Sequence, residues 1–246
     1  MRKPAKNSAG SRRRAAADSQ YVFCFIKPGF EHLEPSIRWH LNREGLQIAA
    51  KKTGRMTEAV HEAHYYQHRK KKFYGAMVRY FVDVPLKMFV VSGPGAVEKV
   101  REILGPTDSE TARRRAPGSL RGMYGKNIME NVMHASDSRE AAANEMLRFF
   151  SAGELSQKQL RFALKHASLD SLPAGTRAAV APHLFKLFEP RKLSPAQLRF
   201  ALKHTPMDYV PRRARDYVLS EVPFWQLPWR AKWRAAWWRL SGKNPA

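Results

Sequence analysis

His134 stands in the run Met133-His134-Ala135-Ser136-Asp137, and Glu145 follows it one expected helix downstream. An imidazole is nucleophilic near neutral pH and can carry a phosphoryl group covalently. A carboxylate within reach can hold such a ring in one tautomer and leave its other nitrogen able to attack. Lys27, Arg101 and Arg121 fall at the ends of other expected elements. Cations so placed can neutralise a polyphosphate and the charge that develops as a phosphoryl group moves. No His, Cys or carboxylate spacing of a metal site stands out, and the single cysteine, Cys24, rules out an intramolecular disulfide. Spacing alone does not bring these groups together, so the elements between them must.

Residues 21–27 (YVFCFIK) are apolar and β-prone and stop at Pro28-Gly29, which predicts a buried strand. A helix is expected over 34–43, a second strand over 46–51, and helices over 57–66 and 73–80. A third strand over 86–91 closes at Ser92-Gly93-Pro94-Gly95, and a helix over 96–104 follows. Residues 105–131, rich in Arg, Pro and Gly, read as a long loop. A short fourth strand over 131–134 leads into a helix over 137–150, with Asp137 or Ser138 near its N-cap. Strands separated by helices in this order predict an α+β fold, a ferredoxin-like split β-α-β sandwich on an antiparallel four-stranded sheet.

After residue 150 the pattern becomes all-α. The segment from Leu155 to His166 (LSQKQLRFALKH) recurs 38 residues later from Leu193 to His204 (LSPAQLRFALKH). Each copy opens with a capping box, Ser156 with Gln159 and Ser194 with Gln197. Each continues through an Asp (Asp170, Asp208) to a Pro (Pro173, Pro211) and a second helix, so residues 151–222 read as a two-copy helical-hairpin repeat. Residues 1–20 read as a disordered basic arm, and 223–246 as a Trp/Arg-rich C-terminal helix and tail, with Trp225, Trp229, Trp233 and Trp237 every four residues. The formal net charge of +23 attracts polyanions, whether nucleotide, nucleic acid or anionic lipid. For the Trp-rich tail the first reading is a core-completing helix docked on its own protein, and for 151–246 as a whole contact with nucleic acid, a protein partner or a membrane surface also stays open. In the repeats, Arg161 and Lys165, and Arg199 and Lys203, share a helix face. They are read as a phosphate contact or, more simply, as a solvated face over the apolar stripe of Leu160, Ala163 and Leu164. No apolar run approaches the roughly 20 residues needed to span a bilayer, and with one thiol in the chain a cytoplasmic setting is expected.

Residues 20–150 resemble a nucleoside diphosphate kinase. The run Asn131-Val-Met-His134-Ala-Ser-Asp-Ser138 resembles the family's active-site signature N-x-x-H-G/A-S-D. Ile26-Lys27-Pro28 is similar to its I-K-P, and His64-Tyr65 to its H-Y. Phe73-Tyr74-Gly75 through Tyr80 is similar to F-F-x-x-L-V-x-Y, Arg101 through Thr107 to R-x-x-x-G-x-T, and Pro117 through Gly122 to P-G-T-I-R-G. The resemblance implies that His134 is the phosphorylated nucleophile, that Glu145 orients it and that Ser136 hydrogen-bonds nearby. It implies that Lys27 contacts the γ-phosphate and that Tyr65 steadies the histidine. Arg101, Thr107 and Arg121 would bind the β- and γ-phosphates, Asn131 the sugar hydroxyl, and Phe73 the base by stacking, which implies broad nucleotide tolerance. Mg2+ would arrive on the nucleotide phosphates, and the chain would form a homo-oligomer. The implied reaction is ping-pong transfer of a γ-phosphate from a nucleoside triphosphate to a diphosphate.

Two departures stand out. The family usually continues I-K-P-D where this chain has Gly29-Phe30, and the loop between Thr107 and Arg121 is about three residues longer and carries Arg113-Arg114-Arg115. The alternative function is a non-catalytic kinase-fold scaffold, or a basic nucleic-acid-binding protein working through the repeats and the Trp tail.

Overall fold

A computed structural model describes residues 19–206 and 209–222. Most of the expected basic arm, Asp208 and the whole Trp-rich segment lie outside the described residues. Residues 19 and 20, assigned to the arm, instead open the first strand.

The chain divides into two compact units, Met1–Met146 and Leu147–Ala246. The first is built on strands β1 (Ser19–Ile26), β2 (Gln47–Arg55), β3 (Pro85–Pro94) and β4 (Met133–Ala135). They lie in the order β2-β3-β1-β4, and every neighbouring pair is antiparallel. Helix α1 (Glu34–Arg43) connects β1 to β2, and α2 (Glu58–His64) and α3 (Tyr74–Phe81) connect β2 to β3. Helices α4 (Ala96–Leu104), α5 (Ser109–Arg115) and α6 (Leu120–Tyr124) connect β3 to β4, and α7 (Arg139–Phe149) follows. This is the ferredoxin-like sandwich.

The central position of β1 explains its unbroken apolar run, because a strand paired on both edges and covered on both faces has no polar side. Val22, Cys24 and Ile26 pack with Ile37 and Leu41 of α1 and Val97, Val100 and Leu104 of α4. With a side-chain period of two, Phe23 and Phe25 face the other way, where Phe25 meets Phe81 edge-on at 5.7 Å. That second face carries the chemistry.

Two expectations are corrected. Strand β2 runs to Arg55 instead of ending at 51. It is an edge strand alternating exposed and half-buried residues, so Lys51-Lys52-Thr53-Gly54 gives no apolar signal. The expected loop over 105–131 contains α5 and α6. Asp108 caps α5 by accepting from Thr111 N–H at 2.9 Å, and Ser119 caps α6 by accepting from Gly122 N–H at 3.2 Å. These N-cap signals were hidden by the arginine run and by Pro117-Gly118.

In the second unit, α8 (Gln157–His166) and α9 (Ala174–Leu187) are followed by α10 (Pro195–His204) and α11 (Arg212–Glu221). Both capping boxes form, and Pro173 and Pro211 stand at the N-caps of α9 and α11. Leu160, Ala163 and Leu164, and their counterparts Leu198, Ala201 and Leu202, are buried, while Arg161, Lys165, Arg199 and Lys203 are exposed. The helices are tied by Gln197 Nε2 donating to Leu164 O at 3.1 Å and an Arg213 guanidinium nitrogen donating to Phe185 O at 2.6 Å. The apolar stripe is thus the packing face, and the cations lie outside it. No described helix is long and apolar enough to cross a membrane.

Candidate active site

The register of β1 against β4 places His134. Phe25 pairs with His134 and Cys24 with Ala135. Directly opposed residues of an antiparallel pair present their side chains to the same face. His134 therefore stacks on Phe25, with ring centroids 4.8 Å apart and planes 15° apart. Its neighbours Met133 and Ala135 turn to the opposite side and join the main core.

The chain enters β4 through a strained turn. Val132 has φ 76°, and Met133 N–H donates to Asn131 O at 3.0 Å, the three-residue hydrogen bond of a γ-turn. A β-branched residue at positive φ is a genuine outlier, and such strain clusters at functional sites. Here it sits between Asn131 and His134. Asn131 donates through Nδ2 to Thr107 O (2.6 Å) and Ile128 O (2.9 Å), while its buried Oδ1 has no partner.

Behind His134 lies Glu145, presented by α7. One carboxylate oxygen meets His134 Nε2 at 3.1 Å and Ser136 Oγ at 2.5 Å, and the other lies 3.6 Å from His64 Nδ1. The Ser136 hydroxyl has one proton. Given to Glu145, it leaves the oxygen to accept from Phe23 N–H at 3.2 Å, so the serine ties the carboxylate to β1. Burial pushes the Glu145 carboxyl upward, but His134, His64 and Ser136 outweigh it and hold the group below the usual carboxylate range. A carboxylate bonded to Nε2 fixes the tautomer in which Nδ1 carries the lone pair.

In front of His134 is a cavity of about 460 Å3 lined by Lys27, Tyr65, Phe73, Arg101, Thr107, Arg121 and Asn131, among others. Every residue singled out from the sequence therefore lines this cavity, except Ser136 and Glu145, which support His134 from behind. Lys27 is 8% exposed, and its Nζ donates to Met129 O at 2.7 Å. Burial, with the Arg121 charge nearby, lowers its pKa to about 7. Arg121 donates to three backbone carbonyls, those of Asn131 (3.3 Å), Gly105 (2.9 Å) and Met133 (3.1 Å). Burial and the neighbouring Arg101 bring its pKa to about 10. Gly105 has φ 74°, and a Cβ there would collide with the Ser119 hydroxyl, so only glycine fits. Tyr65 stacks on Phe81 at 5.5 Å, and burial, with Glu145 and Tyr80 adding to it, pushes its phenol well up, so it stays a neutral hydroxyl.

The profile of the family described as nucleoside diphosphate kinase matches residues 20–155. The chain belongs to the nucleoside diphosphate kinase family. Its kinase region is 42% identical over 113 residues to the nucleoside diphosphate kinase of Aquifex aeolicus, covering 46% of this chain and 80% of that protein. It is 38% identical over 136 residues to the Archaeoglobus fulgidus enzyme, covering 54% and 88%. Among solved structures, an Aquifex aeolicus nucleoside diphosphate kinase superposes with a TM-score of 0.53 at 36% identity, over 56% of this chain and 99% of that one. The Halobacterium salinarum nucleoside diphosphate kinase in complex with CDP gives 0.52 at 31% identity, over 56% and 91%. The chain is thus a phosphotransferase of this nucleotide-binding family. The family match ends at residue 155.

Two groups were not singled out from the sequence. His64, in the same H-Y pair that drew attention to Tyr65, is buried against Glu145 and His134. Ile128, 65% exposed, lines the cavity as Phe73 does, and with Met129 it forms an apolar pair between Lys126-Asn127 and Glu130, which was the signal available.

Proposed function

We propose that the chain transfers the γ-phosphoryl group of a nucleoside triphosphate to a nucleoside diphosphate through a phosphohistidine on His134. The observation that carries this reading is the Glu145–His134 pair. The carboxylate engages Nε2, so Nδ1 attacks the γ-phosphorus in line, and the diphosphate leaves as the P–N bond forms. A second diphosphate then takes the phosphoryl group from Nδ1 and restores the free imidazole. The positive charge gathering on the ring is balanced by Glu145, which Ser136 and His64 hold in place.

Lys27, Arg101 and Arg121 supply charge to the transferring group and to the phosphates behind it, so catalysis is mostly positioning and electrostatics. Arg121 keeps donor capacity, since its fork carries five N–H groups. Thr107 adds a hydroxyl toward the phosphates. Tyr65, a neutral phenol, steadies the histidine and the incoming γ-phosphate. The unpartnered Asn131 Oδ1 accepts from a sugar hydroxyl. Phe73, with Ile128 also lining the cavity, covers the base. Stacking reads little of the base edge, which supports broad nucleotide tolerance.

Among the described residues, Asp137 is the one carboxylate lining the cavity. That is no oxygen cage for Mg2+, which holds octahedral geometry and keeps its waters. The ion is read as arriving on the phosphates, where it would neutralise them, and no protein ligand is assigned to it. A homo-oligomer remains part of this reading.

The test is steady-state transfer from ATP to GDP, with ATP varied at several fixed GDP concentrations. A ping-pong enzyme gives parallel double-reciprocal lines. A chain that transfers only when both nucleotides are bound gives intersecting lines, and that result removes the phosphohistidine intermediate.

A further inference from the structure

His64, His134 and Glu145 present ligand atoms that all lie within 4.8 Å of one another. His134 Nε2 lies 3.1 Å from one Glu145 carboxylate oxygen, and His64 Nδ1 lies 3.6 Å from the other. Donors held about 2.0–2.2 Å from a common tetrahedral ion are separated by roughly 3.4 Å, and two imidazoles plus one carboxylate make an open three-ligand zinc set. The His64 side chain is 2% exposed and that of Glu145 is 11% exposed, so two ligands are held in place by packing. His134, at 20%, opens on the cavity and offers the way in.

We propose that these three residues bind a borderline transition-metal dication of the zinc class, and that its occupancy switches the nucleophile off. The switch follows from proton bookkeeping on one ring. To ligate through Nε2, His134 must move its Nε2 proton to Nδ1. The ring stays neutral, but Nδ1 now carries a hydrogen in place of the lone pair that attacks phosphorus. His64 likewise ligates through Nδ1 with its proton on Nε2, and Glu145 supplies its carboxylate, whose two oxygens each face one of the rings. Three dative bonds replace the contacts of Glu145 with the two rings, the net charge at the site rises by two, and nothing is oxidised or reduced. A water fills the fourth position.

Mg2+ does not compete, because nitrogen-rich sites favour the later first-row ions whereas Mg2+ favours oxygen and water. Nucleotide can still enter, since the metal sits behind the ring and the phosphate-facing cations are in front of it. Metal binding itself is independent of the phosphohistidine reading, while the switch rests on that reading.

The test uses the full nucleotide-free chain with Mg2+ present throughout. Titration with Co2+ should give the visible absorption of a four- or five-coordinate ion at one per chain, displaced by Zn2+. The His64→Phe variant should weaken this by more than about a hundredfold, since even outer-shell partners of a metal are worth about 10–100-fold. Anomalous scattering at the zinc edge from crystals of the wild type locates the ion without any variant. A peak between the three side chains supports the site, and a peak only elsewhere, or cobalt spectra unchanged in the variant, overturns it. At full occupancy Zn2+ should abolish labelling of His134 by γ-labelled ATP, reversibly on chelation with Mg2+ restored, while the Kd for GDP changes less than about twofold. Labelling that persists with zinc at the site overturns the switch. Absence of labelling in zinc-free protein with Mg2+ present instead contradicts the phosphohistidine reading and leaves the metal site standing.

Discussion

Lys27 makes nucleotide binding a protonation event. In the nucleotide-free cavity its pKa is about 7, lowered by burial and by the Arg121 charge. Phosphate oxygens beside Nζ favour the charged form and return it toward its ordinary 10.5. At pH 8 only about a tenth of the free protein carries the charge, and essentially all of the complex does, so binding takes up about 0.9 proton. Arg121, at about 10, is almost fully charged at that pH and adds little. The same linkage weakens diphosphate binding about fiftyfold between pH 7 and pH 9, because free-state deprotonation of Lys27 competes with the ligand. The assay is calorimetric titration of Mg2+-GDP into unphosphorylated protein at pH 8, in buffers of different ionisation enthalpy. The slope of observed enthalpy against buffer enthalpy counts the protons. Wild type should give a slope corresponding to about 0.9 taken up, and Lys27→Gln a slope near zero with weaker binding. A wild-type slope near zero, or one that Lys27→Gln leaves unchanged, refutes the reasoning.

Glu145→Gln keeps size but loses the charge behind His134, and should lower kcat by about 10²–10⁴-fold, as measured in steady state, with KM for the diphosphate little changed. Because the folded Glu145 carboxyl is held low, its contribution to stability is complete above about pH 4.3 and is lost as pH falls through the folded value. Urea denaturation at pH 7 and pH 3.5 should therefore show a smaller pH dependence in Glu145→Gln. Gly105→Ala forces a Cβ onto the Ser119 hydroxyl at positive φ, and should cost about 1–3 kcal/mol in urea unfolding and displace the carbonyl that holds Arg121. Ser194→Ala removes a capping box in the second unit and should cost about 1 kcal/mol of that unit's stability, read by thermal unfolding, with ATP-to-GDP transfer unchanged.

The sequence made the kinase region legible because its signals are local and mutually consistent. The YVFCFIK run could only be a strand covered on both sides, and the run from Asn131 to Ser138 fixes its histidine by neighbours two or three residues away. Legibility failed where a signal was two-sided or non-local. The polar edge of β2 looks like a loop because one side of an edge strand needs no apolar residue. Helices α5 and α6 hid behind Arg113-Arg114-Arg115 and Pro117-Gly118, although Asp108 and Ser119 announced their caps. His64 could not be placed against Glu145 by spacing, since α2 and α7 meet only after the sheet has folded. The strain at Val132 leaves no mark in composition at all. In the repeats the capping boxes gave both helix starts, whereas the same apolar stripe fits a packed core or a partner face until burial is seen.

The most direct test of the central claim is labelling with γ-labelled ATP and Mg2+, followed by mapping of the acid-labile, base-stable phosphoprotein in wild type and His134→Ala. A single labelled histidine at 134, transfer of that label to GDP, and loss of both in a folded, nucleotide-binding His134→Ala variant are the predicted results. Transfer that survives in His134→Ala, or a wild type that binds nucleotide yet carries no label, contradicts the account.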